Sequence, residues 1–122
     1  MYSNLYVDII PGYGRSIIAA ENIYGGELVM VNDTLVLSEQ DTKTLSNTQL
    51  WKYTYSLREN QDLICLGIGS LLNHSEDPNL DYTLTDDSHP RLHFRALRNI
   101  KAGEQLFINY SKDCKVDIKD YL

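Results

Sequence analysis

The chain has 122 residues, which suits one domain with a single modest core. Its net charge of −6 excludes a general nucleic-acid binder, which needs basic residues to neutralise phosphates, and favours a basic partner such as a lysine-rich tail. No apolar run approaches the length of about 18 residues that a membrane span needs, and Met1 to Asp8 lack the basic and apolar regions of a secretory signal, so an intracellular protein is expected.

Leu5 to Ile10 is rich in strand formers. Pro11-Gly12-Tyr13-Gly14 breaks it, and Arg15 to Ala20 resumes as a strand. Glycine permits positive φ and leaves no side chain between backbone and a ligand. A Gly-x-Gly of this kind is equally a plain hairpin turn. Ile23 to Val29 reads as a turn leading into another strand, and Asn32-Asp33 as a hairpin turn interrupting Val31 to Leu37. Residues 41–60 carry the helical signal. Ser46 and Gln49 have capping-box spacing, and Leu50, Tyr53, Thr54 and Leu57 recur at helical intervals, with Trp51 and Tyr55 off that line.

Leu63 to Leu66 reads as a short strand. Gly67 to Asn79 then begins small and apolar and turns polar at Asn73-His74-Ser75, with Pro78 forcing an extended or turning backbone before Asn79. Short polar side chains at the edge of a buried segment suit a small-molecule pocket. They are also ordinary turn residues, and Asn73-His74-Ser75, Asn32-Asp33-Thr34 and Asn109-Tyr110-Ser111 each match a glycosylation acceptor pattern, which has meaning only in a secreted chain. Leu80 to Leu84 and Arg91 to Ala96 alternate with period two, placing Leu92, Phe94 and Ala96 on one face. Residues 85–88 form a polar hairpin loop, Arg98 to Gly103 turn the chain, and Gln105 to Asn109 make the last strand. In the tail, 111–122, Val116, Ile118, Tyr121 and Leu122 are the candidate anchors. Cys65 and Cys114 are far apart, so a structural zinc site is not expected, and His89 and His93 flank Pro90 in a strand-like stretch ill suited to a metal. Many short strands, regular turns and one helix give a mostly β fold with a small helical insert.

Three segments in order, Gly12-Tyr13-Gly14-Arg15, Leu72-Asn73-His74-Ser75 with Pro78-Asn79, and Gly103-Glu104-Gln105-Leu106-Phe107-Ile108-Asn109-Tyr110, resemble the SET-domain protein lysine methyltransferases. The resemblance runs from about Tyr6 to Tyr110 and is greatest to the compact stand-alone viral members. It implies that residues 1–122 form one SET domain of several small sheets, with a C-terminal pseudoknot that brings Tyr110 beside Asn73 and His74. It also implies S-adenosylmethionine as methyl donor, held by Gly12, Tyr13, Gly14, Asn73 and His74, with Tyr110 as the catalytic residue. No metal is required. Tyr53 and Ile108 would line the lysine channel with Tyr110, although Tyr53 is equally a helix core residue. Glu104 is expected to be a structural turn residue.

Many relatives carry phenylalanine or tyrosine where Ile108 stands, so this aliphatic side chain leads us to expect di- or trimethylation. Many relatives also have a zinc segment after the catalytic tyrosine, where this chain has only Cys114. The expected partner is a lysine-bearing basic protein, with a histone tail as the leading substrate and a non-histone protein as its rival. A homodimer is left open. A viral origin would place the protein in the nucleus or cytoplasm of a host cell. The alternative from another class is a SET-like module that binds a lysine peptide without methylating it.

Overall fold

Short strands are the main regular element of this molecule, a computed structural model that describes residues 4–110. The strands are β1 (Leu5–Ile10), β2 (Gly14–Ala19), β3 (Leu28–Val36), β4 (Thr54–Arg58), β5 (Gln61–Cys65), β6 (Asn73–His74), β7 (Leu80–Leu84), β8 (Arg91–Ala96) and β9 (Phe107–Ile108). They form three sheets: the β1–β2 hairpin, a five-stranded antiparallel sheet ordered β4-β5-β3-β8-β7, and the two-residue parallel pair β6–β9. The mostly β expectation holds, and β1, β7 and β8 have the limits that the sequence predicts.

One face of the large sheet is the core. Tyr55 and Leu57 of β4, Leu63 of β5, Met30 of β3, Leu92 and Phe94 of β8, and Leu80, Tyr82 and Leu84 of β7 are all buried. They pack with Ile17 from β2, Leu72, Leu106 and Ile108. Tyr55 meets Tyr82 edge to face at 5.1 Å, a favoured aromatic geometry, and its hydroxyl donates to the Gly69 carbonyl at 2.8 Å.

The helical insert is not as the sequence predicts. A short helix, α1 (Glu39–Leu45), starts earlier; Ser38 caps it by accepting from the Asp41 N–H, and Ser46 ends it instead of starting it. Residues Gln49–Tyr53 form a 3-10 turn, and from Thr54 the chain is strand. The predicted apolar stripe divides: Leu57 is buried, while Leu50 is 55% exposed. Thr54 to Leu57 also alternates small hydroxyl residues with the large Tyr55 and Leu57, so β4 can bury Tyr55 and Leu57 while pairing its backbone with β5. A helix over the same residues would turn Tyr55 away from the core.

Asn32-Asp33, predicted as a turn, lies inside the continuous β3. Buried Asn32 avoids an unmet polar group because its Oδ1 accepts from the Gly69 N–H at 2.9 Å and from Cys65 Sγ at 3.2 Å. The last strand is shorter than predicted, since Gln105 makes only an isolated bridge to Ile18. The strand expected at Leu63 to Leu66 is β5, which ends at Cys65. Cys114 and the tail anchors Val116, Ile118, Tyr121 and Leu122 lie outside the described residues.

Candidate active site

A cavity of about 540 Å³ opens where four chain segments meet: 13–15, 51–56 with Asp62, 70–73, and 108–110. Its volume and mixed lining suit a small molecule together with the end of a side chain.

The first segment is the β1–β2 turn. Tyr13 N–H donates to the Ile10 carbonyl at 3.0 Å, and Gly12 and Gly14 take φ of +86° and +82°, which a side chain would strain. Neither glycine lines the cavity. They instead bend the chain so that Tyr13 does, with its ring edge-on to Phe107 at 5.5 Å.

The second element is the β6–β9 pair. Asn73 lies opposite Phe107, and His74 opposite Ile108. The Asn73 amide donates to the Arg15 carbonyl, Ser16 Oγ and Gln105 Oε1 at 3.3, 3.0 and 2.9 Å, which clamps β2 to the strand before Tyr110. Asn79, almost fully buried, continues the clamp: its amide donates to the Gln105 carbonyl at 2.9 Å, and its Oδ1 accepts from the Phe107 N–H at 2.8 Å. The sequence contains the Pro78-Asn79 signal but does not reveal this role. Asn32 and Asn73, both in glycosylation patterns, have their amides engaged inside the protein.

The third element is Tyr110. Its backbone N–H donates to His74 Nδ1 at 2.8 Å, so in this arrangement a neutral His74 ring carries its proton on Nε2. The two rings lie 5.2 Å apart. The Tyr110 hydroxyl donates to the Leu72 carbonyl. Burial, and secondly the nearby Tyr53 hydroxyl, push the Tyr110 phenol above its usual pKa, so it stays protonated at neutral pH. Buried Ile108 and half-exposed Tyr53 complete this end of the cavity.

Of the residues singled out in sequence, Tyr13, Tyr53, Asn73, Ile108 and Tyr110 thus line one cavity, while Gly12, Gly14 and His74 stand behind it as supports. Sequence reasoning missed Arg15, Trp51, Lys52 and Asp62 as lining residues. Trp51 lies off the presumed helical stripe, and that misread helix concealed it. Glu104 accepts from the Lys101 N–H through Oε2 and closes a turn. Among the described residues no group of three or more His, Cys, Asp and Glu could hold a metal ion. Cys65 is the buried last residue of β5, and burial pushes its thiol up to about 11.

The glycine-shaped turn, the clamped β6–β9 backbone and the aromatic end of the cavity offer ring faces and polar groups to a small molecule. A protonated tyrosine held on the Leu72 carbonyl fits a reaction that depends on alignment.

Comparisons with known proteins agree with this geometry. The SET domain model matches residues 14–111. A histone-lysine N-methyltransferase of Schizosaccharomyces pombe, specific for H3 lysine-37, is 32% identical over 98 residues, which cover 80% of this chain and 66% of that protein. Two solved structures share the fold. A Plasmodium falciparum protein described as a candidate histone methyltransferase superposes with a TM-score of 0.74 at 23% identity, over 90% of this chain and 95% of that one. CpSET8 from Cryptosporidium superposes with a TM-score of 0.73 at 24% identity, over 87% of this chain and 56% of that one.

Proposed function

Because this chain belongs to the SET-domain family, we propose that it is an S-adenosylmethionine-dependent protein lysine N-methyltransferase and that its substrate is a histone tail. The observation that carries the reading is the β6–β9 clamp, which seats Tyr110 on His74 and Leu72 at the end of a cavity shared with Tyr53 and Ile108. The relative specific for H3 lysine-37 and the net charge of −6 support a basic tail as substrate.

S-adenosylmethionine supplies, when bound, a methyl group already activated on a sulfonium. The protein's task is then to hold, align and dry the reactants. The backbone around Gly12 and Gly14 can approach the donor closely, Tyr13 offers a ring face, and Asn73 and His74 offer backbone groups. Lysine has an ordinary pKa near ~10.4, so its amine arrives charged. Tyr53, Ile108 and Tyr110 form an aromatic and aliphatic end that, once donor and peptide cover it, would favour the neutral amine. The Tyr110 phenol keeps its proton on the Leu72 carbonyl, which leaves its oxygen lone pairs to accept from the amine N–H. Its role is therefore positional, and bulk water takes up the released proton. Tyrosine faces also attract a cation. Ile108 offers no hydroxyl to hold a water beside the amine, and this supports addition of a second and third methyl group.

Methyl transfer from labelled S-adenosylmethionine to core histones and to total lysate protein, with Tyr110→Phe alongside, tests the proposal. Histone labelling that the variant loses is the expected result. Labelling confined to other lysate proteins would retain the enzyme and replace its substrate. Cofactor binding without labelling of either would overturn the catalytic reading in favour of a lysine-peptide binding module.

A further inference from the structure

Asp62 is the one carboxylate among the described residues that line the cavity; the other charged side chains there, Arg15 and Lys52, are cationic. It is firmly placed. Its N–H donates to Thr42 Oγ1 at 3.1 Å and its carbonyl accepts from the Leu37 N–H at 3.0 Å, so α1 and the chain after β3 both fix its backbone. Across the β4–β5 ladder it faces Ser56, whose side chain shares its face of the sheet and also lines the cavity.

Among the described residues the hydrogen-bond neighbour of the carboxylate is Thr54 Oγ1, 3.3 Å from Oδ2. The same Thr54 hydroxyl lies 2.8 Å from the Trp51 carbonyl. A hydroxyl has one proton to give, and the shorter contact takes the larger share of it, so Asp62 Oδ2 is weakly held and keeps acceptor capacity toward the cavity. Desolvation by burial also pushes the Asp62 carboxyl above its ordinary pKa. A cation entering from the cavity would meet that acceptor.

That cation is not the amine to be methylated. A carboxylate beside that amine would stabilise its charged form, which cannot attack. Thr54 also stands between Asp62 and Tyr53, so the carboxylate sits one step along the wall from the Tyr53–Tyr110 end. A guanidinium stays charged at any physiological pH, and its planar fork matches a carboxylate with a hydroxyl beside it. Resting on the lysine-methyltransferase reading above, we propose that Asp62, with Ser56, is the specificity determinant that receives an arginine side chain flanking the target lysine. The substrate class is thereby narrowed to lysines with an adjacent arginine.

The test uses the full chain with S-adenosylhomocysteine and a fluorescent alanine-rich peptide that has a central lysine, flanked on both sides by arginine, alanine or glutamate. Anisotropy reads peptide affinity, and methyl transfer from labelled S-adenosylmethionine is followed in parallel. The arginine peptide should bind roughly ten-fold tighter than the alanine peptide, in line with one charge-assisted contact at a partly exposed site. In Asp62→Asn that ratio should fall to near one, and Asp62→Arg should prefer the glutamate peptide. The reversal separates recognition from a folding defect, which would weaken all peptides alike. An unchanged ratio in Asp62→Asn, equal weakening of every peptide, or binding of none of them would overturn the assignment. Discrimination through Asp62 without any methyl transfer would keep the assignment and defeat the enzyme reading. Methyl transfer without arginine discrimination would do the reverse.

Discussion

On one side of the cavity, the side chains of Asn73, His74 and Asn79 bond to partners between 26 and 58 residues away in sequence; on the other, the hydrogen bonds of residues 48–53 reach no more than three residues away. The first wall cannot move without breaking β6–β9 and the approach to Tyr110. The second is a 3-10 turn capped by Thr48, with Leu50 and Trp51 more than half exposed. On the proposed function, the fixed wall would serve the methyl donor, which is always the same molecule, and the locally bonded wall would serve peptides, which differ, because it can change its side chains at small cost to the fold.

Substitutions can sharpen this contrast or break it. Tyr110→Phe acts where the walls meet. It deletes the bond to the Leu72 carbonyl and the lone pairs offered to the amine, and turnover should fall about 100-fold or more, as assays with labelled donor would show. Asn79→Ala attacks the fixed wall and leaves the Gln105 carbonyl and the Phe107 N–H without their partner. Two unmet buried groups should cost about 3 kcal/mol in denaturant unfolding. A loss below about 1 kcal/mol would mean that the clamp is not what holds this wall.

The sheet behind the peptide side should respond to alkaline pH. Cys65 in the folded chain has its pKa raised from 9.0 to about 11 by burial. A folded pKa above the unfolded one gives stability that is complete below pH 9 and lost as pH rises toward 11. Between pH 8 and 10 the native protein should lose about 1 kcal/mol more than a Cys65→Ala variant. Parallel pH profiles for the two proteins would remove the thiol from this account. The smallest effect is expected at Trp51, which is 56% exposed. Trp51→Ala should change unfolding stability by no more than about 0.5 kcal/mol and still weaken lysine-peptide binding several-fold. A large stability loss at Trp51 would show that the peptide wall is as fixed as the other.

Legibility differed between the same two walls. The fixed wall was legible through the resemblance, because Gly12, Gly14, Asn73, His74 and Tyr110 fall in three ordered motifs of the SET domain, although each motif alone reads as an ordinary turn or strand end. The peptide wall follows general rules of periodicity, and there two periods competed. Leu50, Tyr53 and Leu57 fit a helix, whereas Tyr55 and Leu57 fit a strand. Local propensity could not choose between them. The edge of β5 offered Tyr55 and Leu57 a core face and a backbone ladder, and the strand won. Asn32-Asp33 misled for a related reason: a polar pair inside a strand looks like a turn until Gly69 and Cys65 arrive from elsewhere to satisfy Asn32.

What the sequence determined by itself was the limits of β1, the alternation of β7 and β8, and the glycine turn between β1 and β2; the ordered SET motifs added Tyr110 and its polar companions. What only the tertiary structure decided was which of them meet: the parallel pairing of β6 with β9, the clamp through Asn79, the end of the helix before Thr54, and the arrival of Asp62 beside Thr54 in the cavity. Period and residue type are properties of neighbours along the chain. Hydrogen-bond satisfaction and burial depend on groups tens of residues away, and those groups take their places only when the core closes.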